Sequence, residues 1–318
     1  MINFLILSLK DIIRWLYWGP VRSLVRIIPR ELSYRLIWLV GLCAYFMSRG
    51  KADRLRRWME QVSEKPVSHS QVIDVFVQYY RSSLDTLLYS SLLSENIDQF
   101  IRYEGLDNLN KALQEGKGVI LLHPHFGNEE CLMPAMGHKG FTVSQIASRW
   151  EPDFLPGRLL ALSNRIRRHA WRMRISTREN LPVGFVYIDE GIRNIYRLLR
   201  RNEVLLLALD GREGVRWQEV PFLGMTAEIS PGPMKIARST GAAVLPTMIV
   251  RTGSYRHTVH IGQPVKLSEQ FDNVEEAIRA DTITALQAVE PYIKKYPSQY
   301  AKFILLDIKL FKEEKVKS

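Results

Sequence analysis

Gly118-Val-Ile-Leu-Leu-His-Pro-His-Phe-Gly-Asn-Glu-Glu130 decides the reading of this chain: an apolar run stops abruptly at two histidines, and two carboxylates follow. Val119 to Leu122 is aliphatic, and Gly116, Gly118 and Pro124 punctuate its ends, which is the pattern of a short buried strand. Asn128 stands where a helix would be capped, and Glu129 and Glu130 occupy its first turn, where carboxylates meet the positive end of the helix dipole. Four residues separate His125 from Glu130. With His125 in the turn and Glu130 one turn into the helix, the acid can hold one ring nitrogen while the other faces a reacting hydroxyl. A satisfied core histidine is the plainer reading of His125, but its place after a strand, in a glycine-bearing turn beside an acid, favours a base. His123 is read as structural, and Glu129 as solvated or facing an incoming substrate.

Outward from this stretch, strand and helix patterns alternate. Helical patterning over 71–93 leads through a Tyr103-Glu-Gly105 linker to a short helix over 106–114. Strand 118–122, helix 128–137, strand 141–146, helices 156–174 and 190–201 and strand 203–209 follow. Helix 231–239, strands 243–250 and 256–262 and helix 274–290 complete the series. The alternation predicts an α/β fold with a largely parallel central sheet flanked by helices and the site at the strand C-termini. Asp210 ends the run Val204-Leu-Leu-Leu-Ala-Leu209 and precedes Gly211-Arg212; it either contacts substrate or caps the next turn. The Phe222-Leu-Gly224 loop either lines a groove or fills core.

The N-terminal part differs in kind. Trp15, Leu16, Trp18, Val21 and Leu24 interleave with Arg14, Arg22 and Arg26, a basic amphipathic helix interrupted near Gly19-Pro20. Leu36 to Met47 carries no charge between Arg35 and Arg49, yet falls short of the ~20 apolar residues a bilayer span needs. Arg and Trp concentrated together indicate interfacial or marginally spanning helices; core helices packed on the rest are the alternative. The expected division is 1–62 for these helices, 63–311 for a catalytic domain and 312–318 for a charged tail. No small-residue cleavage site follows Lys10, so a removable secretory signal is not expected.

Among 318 residues, 46% are hydrophobic, enough for one large α/β domain, and the formal net charge of +11 points to an anionic partner. Acidic phospholipid, a phosphorylated glycolipid or an acidic carrier protein each answer that charge. Nucleic acid is set aside because no recognised binding motif or interleaved aromatic-basic stripe occurs. Two cysteines, Cys43 and Cys131, give no disulfide framework.

His125-Phe-Gly-Asn-Glu-Glu130 resembles the His-x4-Glu/Asp signature of glycerolipid-type acyltransferases, specifically the lipid A biosynthesis (lauroyl/myristoyl) acyltransferase family. The similarity runs from about Asp107 to Phe311 in motif order. Ser148-Arg149 stands near the family's Tyr-Arg, Asn164-Arg165-Ile-Arg-Arg168 near its Arg-x-Arg helix, and Phe222-Leu-Gly224 in place of Phe-Phe-Gly. Pro297-Ser-Gln-Tyr300 resembles the C-terminal Pro-Glu-Gln-Trp/Tyr segment. Glu129 replaces the usual Trp, Leu223 the second Phe, and Lys302 stands where a second aromatic is common.

The resemblance implies O-acyl transfer from an acyl thioester, on acyl carrier protein or coenzyme A, to a hydroxyl of a glycolipid, lipid A-type or related. No metal or bound cofactor is implied. His125 and Glu130 are then the catalytic pair, and Arg149, Arg165, Arg168, Asp210, Arg212, Phe222 and Gly224 are substrate-binding candidates. The arginines have two available jobs, holding a donor or acceptor phosphate or stabilising the tetrahedral oxyanion. The implied location is the cytoplasmic face of a bacterial inner membrane, peripheral or held by one N-terminal anchor.

Two rivals come from other classes. A metal-dependent hydrolase would use His123-x-His125 with Asp210, His257 and His260. A non-catalytic lipid-binding membrane protein would keep the N-terminal helices and make His125 dispensable. No Gly-x-Ser-x-Gly elbow or phosphate-binding Gly-x4-Gly-Lys loop is present.

Overall fold

The Val119–Leu122 run becomes the middle of a sheet. A computed structural model describes residues 2–88, 92, 94–147 and 161–312. The strands among them are β1 (Ile101–Glu104), β2 (Val119–His123), β3 (Val143–Ala147), β4 (Gly184–Tyr187), β5 (Val204–Ala208), β6 (Gln218–Phe222), β7 (Met225–Ile229), β8 (Ala243–Arg251) and β9 (His257–Ile261). Seven of them form one sheet in the order β1-β9-β8-β2-β5-β3-β4, and β6 and β7 pair separately. Neighbours in the large sheet run parallel except β8 and β9, which are antiparallel. The α/β class and the largely parallel, helix-flanked sheet are as predicted.

The helices are α1 (Ile2–Leu16), α2 (Arg22–Ile27), α3 (Arg30–Met47), α4 (Arg49–Ser63), α5 (His69–Leu88), α6 (Ile97–Phe100), α7 (Leu106–Gln114), α8 (Glu129–His138), α9 (Ala161–Glu179), α10 (Arg193–Arg200), α11 (Gly232–Thr240), α12 (Val274–Lys295) and α13 (Lys302–Leu305). Strand side chains alternate between faces. Ile120, Leu122, Leu205 and Leu207 join one core with residues of α4, α5, α10, α11 and α12. Val119, Leu121, Val204 and Leu206 join another with residues of α7 and α8. Both faces of β2 are thus covered, which is why it reads as a continuous apolar run.

Several short elements differ from the sequence expectation. β1 overlaps the predicted Tyr103-Glu-Gly105 linker, and β4 and the β6–β7 hairpin carry no predicted strand at all. The Phe222-Leu-Gly224 loop is the hairpin turn, with Leu223 at φ 54° and Gly224 at φ 75°. The start of the predicted helix 156–174 lies partly outside the described residues, and α9 runs on to Glu179.

At the N-terminus, the expected break at Gly19-Pro20 is a widened π-helical turn over Tyr17–Val21. Proline lacks the N–H that an α-helix needs and its ring displaces the carbonyl one turn back, so the helix bulges there. Among the described residues no helix is long and apolar enough to cross a membrane, and a spanning role for Leu36–Met47 finds no support. Asp11 anchors α1 to α9: Arg167 Nε and Nη2 donate to its two oxygens at 2.9 and 2.7 Å, and Ser163 Oγ donates at 2.7 Å. α3 lies close on α5, because a Cβ at Gly41 would stand 2.7 Å from the Val77 Cα.

Candidate active site

β2 and β5 are adjacent and parallel, with His123 beside Ala208. Two residues beyond each strand stand His125 and Asp210, so the register that pairs the strands also brings these side chains level at the C-terminal edge. His125 Nδ1 lies 2.7 Å from Asp210 Oδ1. The backbone N–H of His125 also donates to Asp210, at 3.0 and 3.2 Å, and the Tyr300 hydroxyl donates to its Oδ2 at 2.9 Å. Burial alone would raise the Asp210 pKa, but the His125 charge, these hydrogen bonds and Tyr300 bring it down to about 2. Asp210 is therefore a carboxylate at neutral pH, accepts from Nδ1–H, and leaves Nε2 of His125 as the basic nitrogen.

The Asp210 charge raises the His125 pKa, against the opposing effect of burial. The His125 side chain is 44% exposed while that of Asp210 is 5% exposed, so the imidazole faces an opening and its partner does not. His123 lies behind, buried, its Nδ1 3.3 Å from the Pro124 carbonyl; burial depresses it to about 4 and keeps it neutral.

The turn that carries His125 is held from beneath. Gly127 has φ +61°, and a Cβ there would come within 1.9 Å of the Ile249 carbonyl oxygen, so only glycine allows the approach. Its N–H donates to the Gln299 carbonyl at 2.8 Å. The Gln299 amide meanwhile bridges the Arg251 backbone, accepting from N at 2.8 Å and donating to O at 3.0 Å. Asn128 does not cap α8 with its side chain. Its Nδ2 instead donates to Asp85 at 2.6 Å, and Asp85 also accepts from Arg251 Nη2 at 2.6 Å and from the Tyr34 hydroxyl. A polar network thus links α3, α5 and β8 to the turn after His125.

Glu130, predicted as the partner of the imidazole, is not hydrogen-bonded to it; Asp210 holds that place. Helical spacing sends Glu130 along the outer side of α8, where it accepts from Thr86 Oγ1 at 3.0 Å. Glu129 is neither solvated nor alone: Lys302 Nζ donates to it, and the two side chains are only 14% and 16% exposed. Two departures from the family pattern therefore form one ion pair, and both charges act on His125.

Arg212 is close enough to feel the Asp210 charge. Its Nη1 donates to the Glu228 carbonyl at 2.9 Å, while its Nε and Nη2 have no hydrogen-bond partner among the described residues. Arg149 lies outside the described residues. Arg165 and Arg168 are exposed on α9, whereas Arg174, which the sequence did not single out, is half-buried within electrostatic range of Glu130. Phe222 is fully buried against Tyr300 and Phe311, so it supports the site from the core, and Gly224 is exposed at the hairpin turn.

The metal-hydrolase set does not converge. His257 lies beside Asp85, and His260 pairs with Glu104 at 2.8 Å, two strands away from β2. Among the described residues no group of three His, Cys, Asp or Glu side chains is placed to hold a metal.

Residues 3–306 match the family described as bacterial lipid A biosynthesis acyltransferase. The chain belongs to that family. It is an acyltransferase, and curated relatives carry the same activity in their names. Phosphatidylinositol mannoside acyltransferase of Mycobacterium tuberculosis (strain H37Rv) is 28% identical over 251 residues, covering 73% of this chain and 71% of its own. The protein of that name from Mycolicibacterium smegmatis is 24% identical over 234 residues, covering 70% of each. In this acyltransferase His125 is hydrogen-bonded to a strand-end aspartate, which in turn accepts from a C-terminal tyrosine.

Proposed function

We propose that this acyltransferase moves a fatty acyl group from an acyl thioester, carried by acyl carrier protein or coenzyme A, to a hydroxyl of a membrane glycolipid. The observation that carries the reading is the hydrogen-bonded series Tyr300–Asp210–His125, buried at one end and open at the other. A hydroxyl is too weak a nucleophile at neutral pH, and a positioned imidazole supplies what it lacks. His125 Nε2 takes the hydroxyl proton as the oxygen attacks the thioester carbonyl. The resulting imidazolium is stabilised by the Asp210 carboxylate. Collapse of the tetrahedral intermediate breaks the carbon–sulfur bond, and the leaving thiolate recovers the proton from His125.

The two unpartnered nitrogens of Arg212 are suited to an anionic oxygen, either a phosphate of the donor's pantetheine arm or the oxyanion itself. Glu130, with Arg174 nearby, is assigned to the acceptor side of the opening rather than to the proton path. A glycolipid acceptor is favoured by the activity in the names of the mycobacterial relatives. Membrane association is favoured by α3, which leaves Leu32, Leu36, Leu39 and Val40 exposed along one side.

The test is transfer from an acyl thioester to a bacterial lipid extract, read by mass spectrometry as a species heavier by one acyl chain. His125→Ala should reduce the rate about a hundredfold or more while circular dichroism stays native. A folded His125→Ala protein that turns over near the normal rate would remove the base assignment.

A further inference from the structure

Beside the catalytic edge lies a second feature that the transfer reaction leaves unused. An open groove of about 440 Å³ is bounded by α3, α5 and the loop joining β8 to β9, with Arg35, Trp38, Leu39, Arg81 and Tyr255 among its walls. The β8–β9 loop leaves the C-terminal end of β8, which runs parallel to β2, so the groove opens on the same sheet edge as His125.

Arg81 has its Nε buried without a hydrogen-bond partner, and burial together with the nearby Arg251 charge lowers its pKa. Neither Arg81 nor Arg35 forms an ion pair among the described residues. Glu31, the carboxylate in the lining, already accepts from the Tyr255 hydroxyl at 2.8 Å. A buried guanidinium nitrogen that donates to nothing is costly unless a ligand supplies the acceptor. Beside the arginines the wall turns apolar: Trp38 is 42% and Leu39 50% exposed, and the Leu32–Leu36 side of α3 continues from them.

We propose that this groove binds the phosphate headgroup of an anionic bilayer phospholipid, with Arg81 and Arg35 on the phosphate and Trp38 and Leu39 against the start of the acyl chains. Charge and polarity both match that occupant: the half-buried Arg81 and the exposed Arg35 answer a phosphate, and Trp38 and Leu39 in the same groove offer apolar surface to the chains that follow it. The site is separate from the acceptor opening at His125. It rests on the membrane placement proposed above and adds a defined headgroup pocket to it.

The test is flotation of the full-length protein with phosphatidylcholine vesicles and with vesicles in which one lipid in three is phosphatidylglycerol. Arg81→Gln and Arg35→Gln should each weaken binding to the anionic vesicles about fivefold. Arg200→Gln, at the end of α10, is the comparison and should leave binding unchanged. Arg81→Lys keeps the charge but loses the planar fork, and should still weaken binding at least about threefold.

Wild-type-like binding by Arg81→Lys would reduce the effect to diffuse charge and overturn the pocket. Displacement by millimolar inorganic phosphate at constant ionic strength would reassign the groove to a free anion and overturn the lipid occupant. If the wild-type chain ignores both kinds of vesicle, the membrane placement itself fails together with the pocket. If it binds and only the arginine variants behave as wild type, the pocket alone fails.

Discussion

β2 buries all five of its residues, whereas α3 buries four of 18, and one of those four is Tyr34, whose hydroxyl donates to Asp85. α1 is joined to α9 by a buried carboxylate, Asp11, gripped by Arg167 and Ser163. Apolar area holds the strands; polar locks take a large part in holding the N-terminal helices, whose outer sides stay apolar and exposed. A buried ion pair adds little net stability over an apolar substitute, but breaking it leaves a charge stranded. Such locks fix orientation. The strands supply the rigid platform that catalysis needs, and the N-terminal helices are set at a defined angle without using up the apolar surface they present outward.

The sharpest test of the rigid side of this comparison is Asp210→Asn. An amide accepts from Nδ1–H less well and lets the ring adopt the wrong tautomer, so the rate should fall about a thousandfold or more with little change in melting temperature. Residual activity should also change its pH dependence. Asp210 raises the His125 pKa, and the proposed base must be neutral to act, so removing the charge should move the acid limb to lower pH. A large loss of folding in Asp210→Asn would show instead that this edge depends on charge as much as the helices do.

The opposite region is probed by Asp11→Ala, which removes the buried carboxylate that the 7%-exposed Arg167 side chain grips. The cost should be about 3 kcal/mol, felt locally. Hydrogen exchange should accelerate in α1 and along the Arg167 side of α9, while β2 and β5 keep their protection. The double variant Asp11→Ala with Arg167→Met should recover much of the loss. If β2 loses protection in step with α1, the helices and the sheet form one cooperative unit and the contrast between them dissolves. Asp85→Ala should differ from Asp11→Ala in one respect. It strands Arg251 and also releases Asn128, so it should slow turnover as well as destabilise.

What the sequence revealed of this arrangement follows the range of the interactions. The central strands were legible because burial on both faces writes an unbroken apolar run into β2 and β5. β1 and β4 were not, because four-residue strands at or near the rim of a sheet carry too little pattern. The turn that carries His125 was legible, and the carboxylate that meets the ring was not: Glu130 lies close in sequence, whereas Asp210 is brought in by strand register across 85 positions. A signal was present, since Val119-Ile-Leu-Leu-His-Pro-His125 and Val204-Leu-Leu-Leu-Ala-Leu-Asp210 place a chemical group at the same distance past matching apolar strands. Tyr300 and Gln299 stood in a recognised segment, but only the folded chain shows that one touches Asp210 and the other the turn at Gly127.

The smallest expected effect concerns Glu129 and Lys302, where the platform borrows the polar device of the helices. Glu129 raises the His125 pKa and Lys302 lowers it, so the pair acts on the base as two opposed charges. Burial raises the Glu129 pKa, but Lys302 and His125 outweigh it, and the acid remains ionised. Lys302→Met should therefore leave an uncompensated anion near the ring, raise the His125 pKa and shift the acid limb of the rate profile to higher pH. Glu129→Gln should shift it to lower pH, and the double variant should return close to the starting profile. Each shift should be a fraction of a pH unit, resolved by measuring the rate against pH for all four proteins. Shifts of the same sign in both single variants would mean that the pair acts through packing or acceptor contact, and not through its charge on His125.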